Sequence, residues 1–330
     1  MSSVSSMSNP AASFEPYRRR LLGLAYRMLG SMADAEDAVQ ETYLRWHAAD
    51  RDNVSDPRGF LMTTTTRICL DMLTSACARR EEYVGPWLPE PVLDTATLAS
   101  DRRTELAEDL SIALLLTLDR LSPLERAAFL LHDVFDFSFR EVATALDRSE
   151  AACRKLAARA RTHVRELRPR GAAAPPEHSG EIDAKHARLI SAFAAATQSG
   201  DLNALTQLLA SDVRIVTDGG GKAAAALEGA SQHGGGHEIQ GADRALRFLV
   251  GATRKRPGTL WREDVRFRFA TINGLPGVIV EAPEGPVQTA AFEIEGDLIR
   301  ALYVVHNPDK LRHLAGAPAA ASTAFDRSAQ

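Results

Sequence analysis

The sequence predicts a multidomain protein in which two all-α domains, the second with a helix-turn-helix, precede an α+β cone domain. Three observations lead to this prediction. Apolar residues recur at helical spacing through the first half of the chain. Residues 138–170 read as two short helices joined by a tight turn. From Val213 onward, short apolar strands follow a helix pair, an order typical of an α+β domain.

The composition is that of a globular protein with two or three cores, since 45% of its 330 residues are hydrophobic and 25% are charged. The three cysteines lack any CxxC spacing, so we expect reduced thiols, no metal site and a cytoplasmic protein. No apolar run approaches the ~18 residues that span a bilayer, and we expect no membrane partner. Residues 1–12 are small and polar, which favours a flexible tail over a signal peptide.

Residues 13–80 form the first predicted all-α domain. Residues 14–49 read as two helices broken at Gly30-Ser31, and residues 60–80 as a third helix. The second helix has an apolar face and an acidic one, and such an acidic face either is solvated or docks a basic partner. Four threonines, Thr63 to Thr66, fit either contacts to a nucleic-acid backbone or half-buried packing.

Residues 81–106 form a predicted linker that contains the sequence WLPEP, Trp87 to Pro91. Its prolines cannot continue a helix and favour an extended segment. A tryptophan there is better explained by docking on a neighbour than by exposure, although an incidental hydrophobic anchor is the alternative. Residues 107–168 form the second all-α domain, in which Ser122 with Glu125 and Ser138 with Glu141 each make a capping box.

The last helix of that domain has an apolar stripe and a basic outer face. Ser149 is placed to cap it. The stripe recurs at helical spacing and consists of Cys153, Leu156, Ala157, Ala160 and Val164. The basic side chains are Arg154, Lys155, Arg159, Arg161 and Arg165. Such a helix suits the DNA major groove, where Arg and Lys meet phosphates or guanine; a solvated face on an ordinary bundle helix is the alternative.

A linker at residues 169–181 leads to the α+β domain at residues 182–314, and residues 315–330 are expected to be disordered. We expect a helix pair up to Leu209 and a helix at residues 242–252. We expect the strands at residues 213–218 and from residue 265 to residue 306 to form one antiparallel set, shaped as a cone around a cavity. The candidate acid–base groups of this cavity are Asp218, His233, His237, Glu238, Tyr303 and His306. Asp218 could act as a general base, and His233 with His237 could chelate a metal. The flexible glycines between the two histidines do not preset metal ligands, and no second catalytic group stands at a diagnostic spacing from Asp218. We therefore expect no catalytic residue, metal or cofactor.

Three segments carry a family resemblance. DAEDAVQETYLRWH, PRGFLMTTTTRICLDML and LSPLERAAFLLHDVFDFSFREVATALDRSEAACRKLAARAR resemble, in this order and spacing, a bacterial sigma factor of the extracytoplasmic-function (ECF) type. The resemblance implies an alternative sigma factor that recognises the −35 and −10 promoter elements and initiates transcription without catalysis of its own. Its implied partners are promoter DNA and core RNA polymerase, through the β′ clamp helices and the β flap, and we expect the free chain to be monomeric.

The resemblance also assigns roles to particular residues. It implies that polymerase is bound by Asp34, Asp37, Gln40, Glu41 and Trp46. The −10 element would be met by Asn53, Phe60, Arg67, Asp71, Arg79 and Arg80, where Asp71 departs from the polar amide of many relatives and would repel phosphate. The −35 element would be met by Ser149, Arg154, Lys155, Arg159 and Arg161.

The third domain resembles the SnoaL-like, nuclear-transport-factor-like fold. WLPEP, DGGGK and NPDKL occur together in one subgroup of these sigma factors, whose members carry a fused SnoaL-like extension in place of a separate anti-sigma protein. The resemblance implies that this extension packs on the sigma domains and linker and controls them. The residues concerned are Trp87, Pro89, Glu90, Pro91, Asp218, Gly219, Gly220, Gly221, Lys222, Asn307, Pro308, Asp309, Lys310 and Leu311.

Two other functions stay open from the sequence. One is a one-component DNA-binding regulator gated by a small ligand in the third domain. The other is a SnoaL-like cyclase or isomerase with an accessory helical domain. For DGGGK the plain alternative is a strand-to-loop turn. The promoter sequence, the inducing signal, an unknown ligand in the cavity and the sign of the control are not determined by the sequence.

Overall fold

A computed structural model describes residues 9–81, 85–93, 112–167, 184–221, 238–255 and 265–315 of the chain. The chain divides into two compact units, residues 1–79 with 95–172 and residues 80–94 with 173–330. The first unit contains both segments that were predicted as all-α domains, residues 13–80 and 107–168, and arginines of the first segment donate hydrogen bonds to carbonyls of the second. The linker motif belongs to the second unit. Of the flexible tail expected at residues 1–12, residues 1–8 lie outside the described residues, whereas Pro10 to Ala12 form the start of the first helix. Residues 316–330 of the tail expected at residues 315–330 and the linker at residues 169–181 also lie outside the described residues.

The first unit is all-α in its described residues. Its helices are α1 (Pro10–Leu29), α2 (Met32–Ala48), α3 (Pro57–Glu81), α4 (Ile112–Asp119), α5 (Pro123–Phe129), α6 (Phe139–Leu146) and α7 (Glu150–Leu167), with a 3₁₀ turn at Arg51–Asn53. The break after α1 falls at the predicted residues: Gly30 has a left-handed φ of 69°, and the Ser31 hydroxyl caps α2 by accepting from the Asp34 N–H.

A π-helical turn, Leu130–Val134, follows α5 and was not predicted. The Phe135 N–H donates to the Leu130 carbonyl at 2.9 Å, five residues back. Asp136 then adopts a left-handed φ of 64°. The two irregular steps place Phe135 and Phe137 in the core, where they are 0% and 2% exposed.

Helices α6 and α7 form the predicted helix-turn-helix. Ser138 and Glu141 make the capping box at the start of α6. Asp147 ends α6 in the left-handed conformation, and the Ser149 hydroxyl accepts from the Ala152 N–H at 3.2 Å to start α7. The predicted stripe of α7 is buried at Cys153, Ala157, Ala160 and Val164.

The second unit is α+β. Its elements are α8 (Ala184–Ser199), α9 (Leu202–Leu208), β1 (Leu209–Asp218), β2 (Glu238–Gln240), α10 (Ala242–Lys255), β3 (Arg266–Ile272), β4 (Leu275–Ala282), β5 (Gly285–Glu295) and β6 (Leu298–Val305), followed by 3₁₀ turns at Pro308–Lys310 and Arg312–Leu314. The strand order in the sheet is β2-β1-β6-β5-β4-β3.

The sheet is mixed, which corrects the expectation of an antiparallel set. β1 and β6 pair in parallel, whereas the hairpins from β3 to β6 are antiparallel. A parallel pair needs a long connection. The chain supplies one, because α10 and the four intervening strands separate β1 from β6.

Helices α8, α9 and α10 share an apolar core with alternate residues of the sheet. This core cluster includes Phe193, Leu205, Ile215, Phe292 and Leu302. The rings of Phe193 and Phe292 meet edge to face with centroids 5.5 Å apart. Residues of opposite parity, such as Asp218 and Tyr303, therefore lie on the other face of the sheet.

Within the described residues, no helix combines the length and the apolar character needed to cross a bilayer.

Candidate nucleic-acid interface and linker-binding site

The acidic face of α2 is exposed as expected. Glu36, Asp37 and Gln40 are exposed, and Ala38 and Val39 are buried on the opposite side of the helix. Asp34 and Glu41 are half-buried, and Glu41 accepts from Arg45 Nε at 2.9 Å. The helix therefore presents carboxylates outward from a fixed apolar base.

Trp46 does not belong to that face. Its side chain is 2% exposed, its indole N–H donates to the Ser13 hydroxyl at 3.1 Å, and its ring packs 5.6 Å from that of Phe60. The assignment of Trp46 to polymerase binding is thus inconsistent with its place in the core, on the same helix face as Val39 and Thr42. Trp46 positions the acidic face from behind.

The threonine run serves packing at two of its positions. The Thr65 and Thr66 side chains are buried, and their hydroxyls donate to the carbonyls of Leu61 and Met62 at 2.9 and 2.8 Å. The hydroxyls of Thr65 and Thr42 lie 3.0 Å apart, which ties α3 to α2. Thr63 and Thr64 are half-buried.

The residues predicted for the −10 element are dispersed. Phe60 is half-buried against Trp46, Asn53 is exposed and donates to Asp50, and Asp71 is exposed on α3. Arg67 donates to the carbonyls of Ala145 and Thr144, at 3.0 and 2.8 Å, at the end of α6. The side chains of Arg79 and Arg80 lie outside the described residues.

The residues predicted for the −35 element occupy three sides of α7. At 100° per residue, Lys155 and Thr162 point directly away from the buried stripe, with Arg154 and Arg159 at the flanks. Arg154 pairs with Glu150 at 2.6 Å and lies 5.3 Å from the Phe139 ring centroid. Arg161 is turned toward the core side and pairs with Asp133 at 2.7 Å. Ser149 is exposed at the helix start, where its hydroxyl acts as the cap.

Arg159 is coupled to a capping box. Its Nε donates to Glu125 Oε1 at 2.7 Å, while Oε2 of the same carboxylate accepts from the Ser122 hydroxyl. Burial pushes the pKa of Glu125 up, but the hydrogen bonds from Ser122 and Arg159 outweigh it, so the pKa lies below the ordinary value. The first turn of α5 and the flank of α7 therefore share one charged link.

The three short motifs meet in the second unit at one buried site, here called the linker lock (Leu88, Asp218 and Lys310). Asp218 Oδ2 accepts from the Leu88 backbone N–H at 2.8 Å and from Lys310 Nζ at 2.7 Å. Lys310 also donates to the Leu88 carbonyl and lies 4.3 Å from the Trp87 ring centroid. The side chains of Lys310 and Asp218 are 8% and 0% exposed, so the ion pair is shielded from water.

Two residues that sequence reasoning missed hold the other end of the motif. The side-chain oxygen of Asn273 accepts from the Val92 N–H at 3.1 Å, and the Asn273 N–H donates to the Val92 carbonyl at 2.8 Å. His313 Nε2–H donates to the Pro91 carbonyl at 2.7 Å. The only sequence signal for Asn273 is Asn-Gly between two strands, and it indicates a hairpin turn rather than a binding residue.

The DGGGK and NPDKL motifs are joined to each other through the backbone. The Asp218 carbonyl accepts from the N–H groups of His306 and Asn307, at 2.9 and 3.2 Å. Asn307 caps the 3₁₀ turn that carries Lys310, and the turn after Asp218 passes through Gly220 and Gly221, which both have positive φ. Gly219 precedes this turn, Pro308 and Asp309 belong to the 3₁₀ turn, and Leu311 is buried behind it. Lys222 lies outside the described residues.

The acid–base groups considered for a cavity do not converge. Asp218 is engaged in the linker lock, and Glu238 is exposed on the short strand β2. The Tyr303 hydroxyl donates to Glu293 and accepts from Arg214, both at 3.2 Å, and burial raises its pKa to about 12. His233 and His237 lie outside the described residues. No group of three or more potential metal ligands occurs in the described part of the chain.

Comparison with known proteins agrees with this geometry. Residues 14–79 match Sigma-70 region 2, and residues 111–164 match Sigma-70 region 4. The chain is 39% identical over 307 residues to the ECF RNA polymerase sigma factor SigJ of Mycobacterium tuberculosis, covering 90% of this chain and 91% of that protein. It is 31% identical to the probable ECF sigma factor SigI of the same species, with 91% and 94% covered.

The crystal structure of M. tuberculosis SigJ superposes with a TM-score of 0.66 at 33% identity, covering 94% of this chain and all of that one. The match supports two sigma domains followed by a C-terminal mixed-sheet domain in the SnoaL-like arrangement. Such a protein is a non-enzymatic transcription factor that binds core RNA polymerase and promoter DNA. On the identity, coverage and order of these regions, the chain belongs to the ECF RNA polymerase sigma factors.

Proposed function

We propose that the C-terminal domain of this alternative sigma factor controls transcription initiation by holding the linker between regions 2 and 4. The observation that carries the proposal is the linker lock, in which the Lys310 ammonium binds the Leu88 carbonyl and the Asp218 carboxylate together. A buried lysine that bridges a main-chain carbonyl and a carboxylate holds the extended segment in one register, because breaking either contact leaves a charge unpaired away from water.

Polymerase docking is assigned to the acidic face of α2, through Asp37 and Gln40 with Asp34 and Glu41 at its edge. Exposed carboxylates on a rigid helix complement a basic surface and accelerate its encounter. The partner surface is proposed to be the clamp helices of the β′ subunit, and region 4 is proposed to dock on the β flap.

Recognition of the −35 element is assigned to the outward side of α7. Lys155 points directly away from the core, and Arg154 and Arg159 can swing from their side-chain partners toward a phosphate or a guanine. Arg161 is retained as a positioning residue, because its pairing with Asp133 fixes α7 from the core side. The −10 element is assigned to α3 and the loop before it. The proposed contacts are Asn53, Phe60, Arg67 and Asp71, with Arg79 and Arg80 farther along the helix.

The proposed control needs no ligand in the C-terminal domain, where the sheet face that the helices cover holds an apolar core cluster.

The test is transcription in vitro with purified core polymerase and a promoter recovered by selection. We compare the full chain with D37K, K310M and the control R312A, which removes an exposed pair with Asp309. D37K should lose initiation together with binding to core polymerase. K310M should raise the transcript yield relative to R312A, because a released linker lets regions 2 and 4 separate to reach both promoter elements. Equal yields from K310M and R312A would contradict control through the linker, and a lower yield would reverse its sign.

A further inference from the structure

Two arginines of region 2 converge on one oxygen of region 4. Arg20 on α1 and Arg58 on α3 each donate from Nη2 to the Phe135 carbonyl, and both distances are 2.8 Å. Phe135 opens the segment that we call the aromatic turn (Phe135, Asp136 and Phe137). Regions 2 and 4 belong to the same compact unit, so this contact is part of its interior.

The aromatic rings of the turn are also covered by guanidinium groups. Arg20 and Arg27 lie 5.7 and 5.8 Å from the Phe135 ring centroid, and Arg58 lies 4.9 Å from that of Phe137. Each of these distances is within the range of a cation–π contact. The turn thus offers region 2 a flat ring beside an oxygen acceptor.

The same arrangement suits a nucleotide better than it suits a peptide. A carbonyl is a neutral acceptor, whereas a phosphate oxygen carries a negative charge and pairs with a guanidinium through charge-assisted hydrogen bonds that can be bidentate. Two cationic donors directed at one oxygen therefore match a phosphate, and a guanidinium beside a ring matches the stacking of a base.

Arg67 is a further arginine of region 2 that donates to backbone carbonyls of region 4. Its acceptors, the carbonyls of Thr144 and Ala145, belong to the last turn of α6. Carbonyls there lack a partner in their own helix and carry the negative end of the helix dipole. Region 4 thus presents carbonyl oxygens to three arginines of region 2, namely Arg20, Arg58 and Arg67, and Arg67 is a predicted −10 contact.

We propose that Arg20 and Arg58 form a binding site for one nucleotide unit of single-stranded DNA, and that the aromatic turn occupies this site in the free chain. The inference rests on the proposed role of region 2 in taking up the single strand. Strand and turn compete for the same guanidinium groups, so region 4 must leave before the strand enters.

The test is fluorescence anisotropy of a fluorescein-labelled oligothymidylate with the full chain and no polymerase. F135L/F137L keeps apolar bulk and the backbone carbonyl but removes both rings. It should bind the oligonucleotide about threefold to tenfold more tightly than the wild type, because each lost ring contact weakens the competitor. F137L alone should show a smaller gain, and it keeps the test open if the double variant does not fold.

The arginines are tested in the leucine background. Adding R20Q/R58Q should return the affinity to the wild-type level or below, whereas R45Q, which removes an exposed arginine paired with Glu41, should not. An unchanged affinity in the folded leucine variants, or full binding without Arg20 and Arg58, would overturn the proposal. Competition by pyrophosphate as strong as that by thymidine monophosphate would also overturn it, since pyrophosphate has no base and the site would then bind free phosphates. Transcription with core polymerase is a separate readout, so failure here leaves the promoter assignments standing.

Discussion

The Asp218 carboxylate is fully buried, and it is stable there because two donors reach one of its oxygens. The ion pair with Lys310 adds little to the free energy of unfolding while both partners are present, but the loss of either partner is costly. Desolvation of two charges offsets much of their attraction, but removal of one partner leaves the other charge unpaired in the interior. The site therefore specifies where the linker binds more than it adds to the free energy of unfolding.

Replacement of Lys310 by methionine should destabilise the second unit by about 3–5 kcal/mol, the range for a broken buried pair. R312A removes the exposed ion pair between Arg312 and Asp309 and should change the free energy of unfolding by less than about 1 kcal/mol. Urea unfolding of the full chain measures both. The double variant D218N/K310M should recover part of the loss, since it leaves no buried charge; a K310M change as small as that of R312A would show that the lock is not rigid.

Glu125 makes the stability of region 4 depend on pH. Its folded pKa is lower than its unfolded pKa of about 4.3, so it stabilises the fold above that value and the contribution disappears as the pH falls through the folded pKa. In urea unfolding between about pH 3 and pH 6, the free energy of unfolding should fall less steeply with decreasing pH for E125Q than for the wild type. E150Q, which alters an exposed pair with Arg154, is the matched control and should retain the wild-type slope.

At the scale of elements, the geometry of α7 gives its basic residues different directions, which their residue types alone do not reveal. Arg154, Lys155, Arg159 and Arg161 are all basic. Their angles to the buried stripe separate Lys155, which points outward, from Arg161, which is turned toward Asp133. Those angles follow from the periodicity. The acid that each arginine meets does not, because Glu125 and Asp133 come from other helices.

We expect K155A to weaken binding to a −35 duplex by about 1–3 kcal/mol if Lys155 contacts a base, with the loss confined to the cognate sequence. R161A should lower the free energy of unfolding and leave the relative affinities for different sequences unchanged. Electrophoretic mobility shifts on cognate and scrambled duplexes separate the two. An equal loss on both duplexes for K155A would make it a phosphate contact.

The elements that sequence reasoning predicted well are those with local causes. Both capping boxes, the break at Gly30-Ser31, the helix-turn-helix and the strands β3 to β6 follow from residues within a few positions of each other. The parallel pairing of β1 with β6 was missed because the two strands are distant in sequence. The π-helical turn was missed because a hydrogen bond five residues back instead of four leaves no mark in the pattern of side chains. Trp46 was assigned to the exposed acidic face for a related reason. Nothing in the neighbouring sequence indicates that its ring is buried against Phe60.

At the scale of the whole molecule, the linker motif belongs to the unit that follows region 4 rather than to the helices that flank it. This also explains which site residues the sequence revealed. Three motifs marked Trp87, Asp218 and Lys310, whereas Asn273 and His313 bind the same segment without a motif.

Hydrogen exchange should detect the lock directly. Leu88 and Val92 lie in a segment without helix or strand, yet their N–H groups donate to buried side chains, so both should exchange slowly. K310M should accelerate exchange at Leu88 by more than tenfold if it loosens the lock by more than about 1.4 kcal/mol, while R312A should not. Fast exchange at Leu88 in the wild type would contradict a closed lock.

The residues of the linker lock are also synthesised at different times during translation. Lys310 follows Leu88 by 222 residues, and region 4 lies between them. At about 5–20 residues per second, a ribosome needs roughly 10–45 s to travel from one to the other. Every newly made molecule therefore passes through an interval in which its promoter-reading helices are complete and the lysine that restrains the linker has not yet been translated.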